Sequence, residues 1–241
     1  MIQRLRGAIQ FLTILPVGGQ TAPAGQAALF FPAVGAGLGW LGAQGFTLLS
    51  PALGSSLAAL AVVLFWTLIT GGLHEDGVAD VADAIRAHRK RESMLAILKD
   101  SRIGSYGAAA LIFLIAVRWQ AVMRLPAAPI AELTACLALS RASLVAQAWV
   151  SRPVGDGLGA AFSNTLTSAT AVLAILQGIA FAFLPGPGAG IILIAGAVFL
   201  TWLLNRWFDV RIGGVNGDCL GATCLFVETF LLVLVSCRNC F

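Results

Sequence analysis

The sequence predicts an all-α fold, a polytopic membrane bundle of about seven transmembrane helices. Three observations carry that reading. The chain of 241 residues is 59% hydrophobic and only 11% charged, against about 25% charged residues in a soluble domain. Mean hydropathy is +0.90, more than a buried core explains, so lipid must solvate much of the surface. The apolar runs are spread along the whole chain, which predicts a single integral membrane domain over residues 1–241.

Spanning helices need about 20 mainly apolar residues. Runs of that kind cover 27–49, 55–73, 104–125, 130–150, 166–184, 188–207 and 218–236. The first 19 residues resemble a signal peptide, but the apolar run is short and lacks a small-residue cleavage site. They are read as a retained interfacial or re-entrant segment. The connections alternate between two kinds. Those at 50–54, 127–129 and 185–187 are short, uncharged and built from small, turn-forming residues. Those at 74–103, 151–165 and 208–217 are polar. The first polar loop holds Arg86, Arg89, Lys90, Arg91, Lys99 and Arg102, and the N-terminus adds Arg4 and Arg6. The positive-inside rule therefore puts the N-terminus and the polar loops (74–103, 151–165 and 208–218) in the cytoplasm of a multi-pass membrane protein. The net charge of +4 belongs to these loops and calls for a bilayer, not a nucleic acid. The five cysteines, with Cys237 and Cys240 as a lone CxxC, have no disulfide-framework or zinc-site spacing.

Acidic residues share the same side. Of the 11 acids, only Glu132 and Glu228 fall outside the polar segments or their borders. A transporter would place its ionisable groups at mid-membrane on broken helices, so the pattern favours chemistry at one surface. In His74-Glu-Asp-Gly-Val-Ala-Asp-Val-Ala-Asp83, the residues Asp76, Asp80 and Asp83 fall at i, i+4 and i+7. On a helix they point the same way within about 60°. Like charges at i, i+4 repel, so such a stripe calls for a cation, and hard oxygen ligands suit Mg²⁺ with bound phosphates. Gly77 permits close approach of a ligand or a tight turn. His74 is a candidate general base or a structural residue, and His88 a solvated one.

The second constellation is Lys99-Asp-Ser-Arg-Ile-Gly-Ser-Tyr-Gly107. Arg102 is a bidentate phosphate ligand by type. Ser101 adds a hydroxyl, Gly104 opens a helix N-terminus suited to anions, and Asp100 is a further metal ligand. The third runs from Arg206 through Arg211 and Gly-Gly-Val-Asn-Gly-Asp218 into the last span. It offers Arg211 and Asp218 to the same site. Arg141 lies inside a span, where it must meet an acid or a phosphate, with Glu228 as one candidate partner.

The HEDGVADVAD, KDSRIGSYG and GGVNGDCLGA segments, in this order, resemble the cobalamin synthase family, the adenosylcobinamide-GDP ribazoletransferases. The resemblance extends from the FLTILP segment to the last span. It implies a Mg²⁺-dependent transferase that joins adenosylcobinamide-GDP to α-ribazole or its 5′-phosphate and releases GMP, late in cobalamin synthesis. It implies His74, Asp76 and Arg102 at the reacting groups, and Asp76, Asp80, Asp83 and Asp100 on the metal. Phosphate binding falls to Ser101, Arg102, Gly104, Arg141, Arg211 and Asp218. His74 and the aspartates all stand as proton acceptors. Homo-oligomers or assemblies with other enzymes of the pathway are compatible with this reading. The chain departs from the family at Leu225, where a glutamate is usual. Two other readings are a CDP-alcohol phosphotransferase-like lipid synthase, which the DG-x2-AD-x2-D run resembles, and a corrinoid or cation transporter.

Overall fold

The computed structural model describes residues 1–86, 91–98, 100 and 102–237. Ser101, His88 and Cys240 lie outside the described residues. Those described form helices with no strand: α1 (Ile2–Leu12), α2 (Ala24–Ala27), α3 (Phe31–Ile69), α4 (Leu73–Arg86), α5 (Arg91–Ile97), α6 (Ser105–Met123), α7 (Ile130–Val150), α8 (Leu158–Thr165), α9 (Ser168–Ala182), α10 (Pro187–Ile212) and α11 (Gly217–Ser236).

Among the described residues, five helical segments are long and apolar enough to cross a membrane, and a sixth follows if the bent pair α8–α9 is one span. The first of these divides again. Within α3, Gly54 has φ 76° and ψ 158°, a conformation that glycine adopts without a Cβ penalty. The Trp66 indole N–H donates to the Leu38 carbonyl at 2.9 Å, although a straight helix would hold residues 28 apart at about 42 Å. A Cβ on Gly42 would strike the Trp66 ring, and one on Gly45 would meet Val62. The chain therefore turns back at Gly54, and α3 is a helical hairpin. Its halves correspond to the first two expected spans, which brings the passes to six, or seven with α8–α9.

The two ends of the bundle differ. At one end Thr47 donates to the Ala127 carbonyl and Trp119 to that of Ser56, so the short turns meet there. At the other end the polar segments meet. The Ile14 N–H donates to the Ile69 carbonyl at 2.8 Å, and Val154 and Val215 are tied through Val154 N–H to Val215 O. Helix α1 belongs to this polar end, since Phe11 stacks on Phe31 and Phe162 at centroid distances of 5.3 and 6.0 Å. Its 11 residues reach only about 16 Å, so it does not cross. The expected polar loop 151–165 contains a helix, α8, bent by 99° from α9.

At the centre, α7 is buried along most of its length, packed by α3, α9, α10 and α11. The apolar core divides into a cluster around Phe31, Phe162 and Phe208 toward the polar end and one around Phe46 and Trp66 toward the other.

Candidate active site

Two glycines, Gly71 (φ 64°) and Gly72 (φ 69°), break the helix between α3 and α4. Helix α4 then climbs along α11 toward the polar end. A Cβ on Gly77 would collide with the Asp218 carbonyl and approach the Ala222 nitrogen, and one on Gly221 would touch His74. The backbones of α4 and α11 thus meet through glycine, as in small-residue packing between membrane helices. Gly77 serves this helix contact and not the approach of a ligand. The contact brings Asp218, at the start of α11, beside the acidic helix.

Asp76 and Asp80 open onto a cavity of about 630 Å³, whose wall also includes Thr70, Gly71, Gly72 and Ala79. Phe11, Ile14, Ile103 and Leu111 form its apolar side. Asp80 is pushed up to about 7, first by burial and then by the charges of Asp76, Asp218, Asp83 and Asp100. Burial and the neighbouring carboxylates both act against its charged form.

The third acid of the stripe is engaged otherwise. Asp83 accepts the Gly104 N–H at 2.7 Å and the Gly107 N–H at 3.0 Å. It caps α6 from a neighbouring helix, so the N-terminus expected to receive a phosphate at Gly104 holds a protein carboxylate instead. Both of its oxygens accept backbone donors, which turns Asp83 away from the expected role of free metal ligand. Asp100 and Arg102 pair with each other at 2.6 Å, the arginine side chain 86% exposed. This pairing holds Asp100 down at about 2. A surface pair of this kind contributes little stability, so Arg102 can exchange its partner for a phosphate at small cost. Arg211 is exposed and lies over the Trp207 ring at 6.0 Å. Asp218 accepts from the Asn216 side-chain amide at 2.7 Å.

His74 and Arg141 are not in the cavity. His74 is 2% exposed, and its Nε2 has no hydrogen-bond partner among the described residues. Burial, then the charge of Arg141, lowers it to about 3. Its position against Gly221, toward α11, takes it away from the cavity as a base. Arg141 ion-pairs with Glu228 and donates to Ser140 at 3.0 Å, so its expected phosphate role gives way to a buried acid at the same depth. Leu225 is buried in the apolar core one turn before Glu228.

Sequence reasoning missed Arg118. Its guanidinium bridges Glu75 at 3.0 Å and Glu228 at 2.6 Å and lies 5.5 Å from the Trp66 ring. A lone arginine inside an apolar run was the signal that marked it.

Among the described residues no three His, Cys, Asp or Glu side chains are grouped to hold a metal by themselves. The donor set still fits Mg²⁺, which commonly takes one or two carboxylates and completes its shell with water and substrate phosphates. Asp76, Asp80 and Asp218 supply oxygens of that type.

The model of the family described as cobalamin-5-phosphate synthase matches residues 4–236. A protein of Herpetosiphon aurantiacus named adenosylcobinamide-GDP ribazoletransferase is 35% identical, over 98% of this chain and 97% of its own. Proteins with the same name from Ralstonia pickettii and Klebsiella pneumoniae are 32% and 34% identical, covering 95% and 98% of this chain and 93% and 100% of theirs. No solved structure matches. A match over this length, by chains of nearly the same size, shows that the protein belongs to the cobalamin-5-phosphate synthase family.

Proposed function

We propose that this protein is an adenosylcobinamide-GDP ribazoletransferase, acting at the polar end of its bundle. The observation that carries the reading is the acid pair Asp76 and Asp80, open to a cavity and joined by Asp218 across the α4–α11 contact. Uncompensated carboxylates at the mouth of a membrane bundle suit a diphosphate that brings its own divalent cation.

Asp76, Asp80 and Asp218 would hold Mg²⁺. Bound there, the ion would neutralise charge on the diphosphate of adenosylcobinamide-GDP. Arg102, released from Asp100, and Arg211 approach the phosphoryl oxygens from the exposed side and stabilise the charge that develops in transfer. A ribose hydroxyl of α-ribazole, or of its 5′-phosphate, attacks the phosphorus that carries the corrinoid arm. The new P–O bond forms as the bond to GMP breaks, and the hydroxyl proton passes to a cavity aspartate. Asp80 suits that task better than His74, because it faces the cavity while His74 is buried against α11. The basic polar segments orient this end toward the cytoplasm of the inner membrane.

Purified protein in detergent, given adenosylcobinamide-GDP, α-ribazole and Mg²⁺, should release GMP only when all three are present. Asp76→Asn should abolish the release. Release of CMP from a CDP-linked lipid, with no GMP from the corrinoid substrate, would overturn the assignment.

A further inference from the structure

Beneath the acid cluster lies a set of charges that the proposed chemistry does not use. Glu75 comes from α4, Arg118 from α6, Arg141 from α7 and Glu228 from α11. The Arg118 and Glu228 side chains are 1% and 0% exposed. Two acids and two arginines cancel in charge, and Thr67 of α3 donates to Glu75 at 2.9 Å. Breaking a buried ion pair is strongly destabilising, while apolar replacement of the whole pair is often neutral. Four charges placed here therefore ask for a reason beyond stability. The set is also incompletely satisfied: Glu75 Oε2, Arg118 Nε and Arg141 Nε have no partner among the described residues.

Its connectivity supplies the reason. Arg118 joins the three helices that build the site. It reaches Glu75, the residue before Asp76, and Glu228 on the helix that begins at Asp218. Its own helix is the one that Asp83 caps. Helix α4 follows a two-glycine break, so the elements packed against it set its rotation: α11 at Gly77, α6 through Asp83, and Arg118 through Glu75. A rotation of α4 by one residue, about 100°, would carry Asp76 and Asp80 off the cavity. Glu75, held by Arg118 and Thr67, opposes that rotation.

We infer that Arg118, with Glu75 and Glu228, is a positioning device that sets the rotation of α4 and so aims Asp76 and Asp80 into the cavity. The inference rests on the proposed reading for what the aspartates bind, but not for the restraint itself. The double variant Arg118→Met/Glu75→Gln tests it. It removes the α4–α6 pair, leaves no uncompensated charge, keeps the Arg141–Glu228 pair, and retains an amide able to meet Thr67.

In nanodiscs, hydrogen exchange of the α4 amides should rise at least tenfold in the double variant, with α7 and α10 unchanged. The Mg²⁺ concentration for half-maximal GMP release should rise at least tenfold as well. Arg118→Lys should recover part of both. A double variant with wild-type α4 exchange overturns the positioning role, as does one with wild-type Mg²⁺ dependence. If wild-type protein shows no divalent-dependent turnover, the proposed function fails, and α4 exchange alone decides the restraint. Should the double variant not fold, Glu75→Gln alone, in which Arg118 and Arg141 share Glu228, is held to the same two readouts.

Discussion

At the residue scale, the burial of Asp80 among like charges makes a measurable difference. Its folded-state value of about 7 lies above the ordinary carboxylate value of 3.8. The folded protein thus binds more protons than the unfolded chain between those values, and stability falls as pH rises through that window. In the absence of divalent cations the melting temperature should fall from pH 4 to pH 7. Asp80→Asn should flatten the fall, and the variant should melt no lower than wild type at pH 7.5. Its turnover should drop by roughly a hundredfold or more, since a ligand or proton acceptor at the reacting groups is gone. Melting curves across pH and a GMP assay check the two halves separately. Asp76→Asn should likewise spare stability while abolishing GMP release.

Elements meet at two places that mutation can separate. Gly77→Ala would gain up to about 1 kcal/mol in helix propensity, but its Cβ has no room against the Asp218 carbonyl. Overpacking typically costs about 1–3 kcal/mol, so the clash wins. The variant should melt lower and lose activity as α11 moves away from α4. Asp83→Ala would strip the N-terminus of α6 of its two accepted donors. A lost cap costs about 1–2 kcal/mol. Faster hydrogen exchange over the first turn of α6, with α11 unchanged, would confirm a cap. An effect confined to the Mg²⁺ requirement would instead assign Asp83 to the metal.

For the whole molecule, the hairpin at Gly54 and the convergence of the polar segments define two ends. Single cysteines placed at Ala128 and Gly186, in a background freed of native cysteines, should react with an impermeant reagent from one side of the membrane. Cysteines at Arg4 and Asp156 should react from the other. Labelling of Gly54→Cys together with Asp156→Cys from one side would break the hairpin reading. If the basic end faces the cytoplasm, Arg4 and Asp156 will label in inverted vesicles.

Much of this architecture was legible without coordinates, because lipid imposes a one-dimensional rule. A span must be a run of about 20 apolar residues, and turns and polar segments must fall between such runs. The sequence by itself therefore determined the passes, the alternation of ends, and the acidic stripe with its like-facing Asp76, Asp80 and Asp83. It also carried the family resemblance. It did not determine which acids remain free for a ligand, because that depends on partners distant in the chain. Asp83 is committed to α6, 21 and 24 residues away, and Arg141 to Glu228, 87 residues away. His74 lies in the acidic motif yet faces the buried charges, since two residues along a helix turn it about 200° from Asp76. Only the tertiary structure decided these assignments. Periodicity specifies which face of a helix a residue occupies, whereas the element that packs against that face decides whether the residue meets a cavity, a cap or an opposite charge.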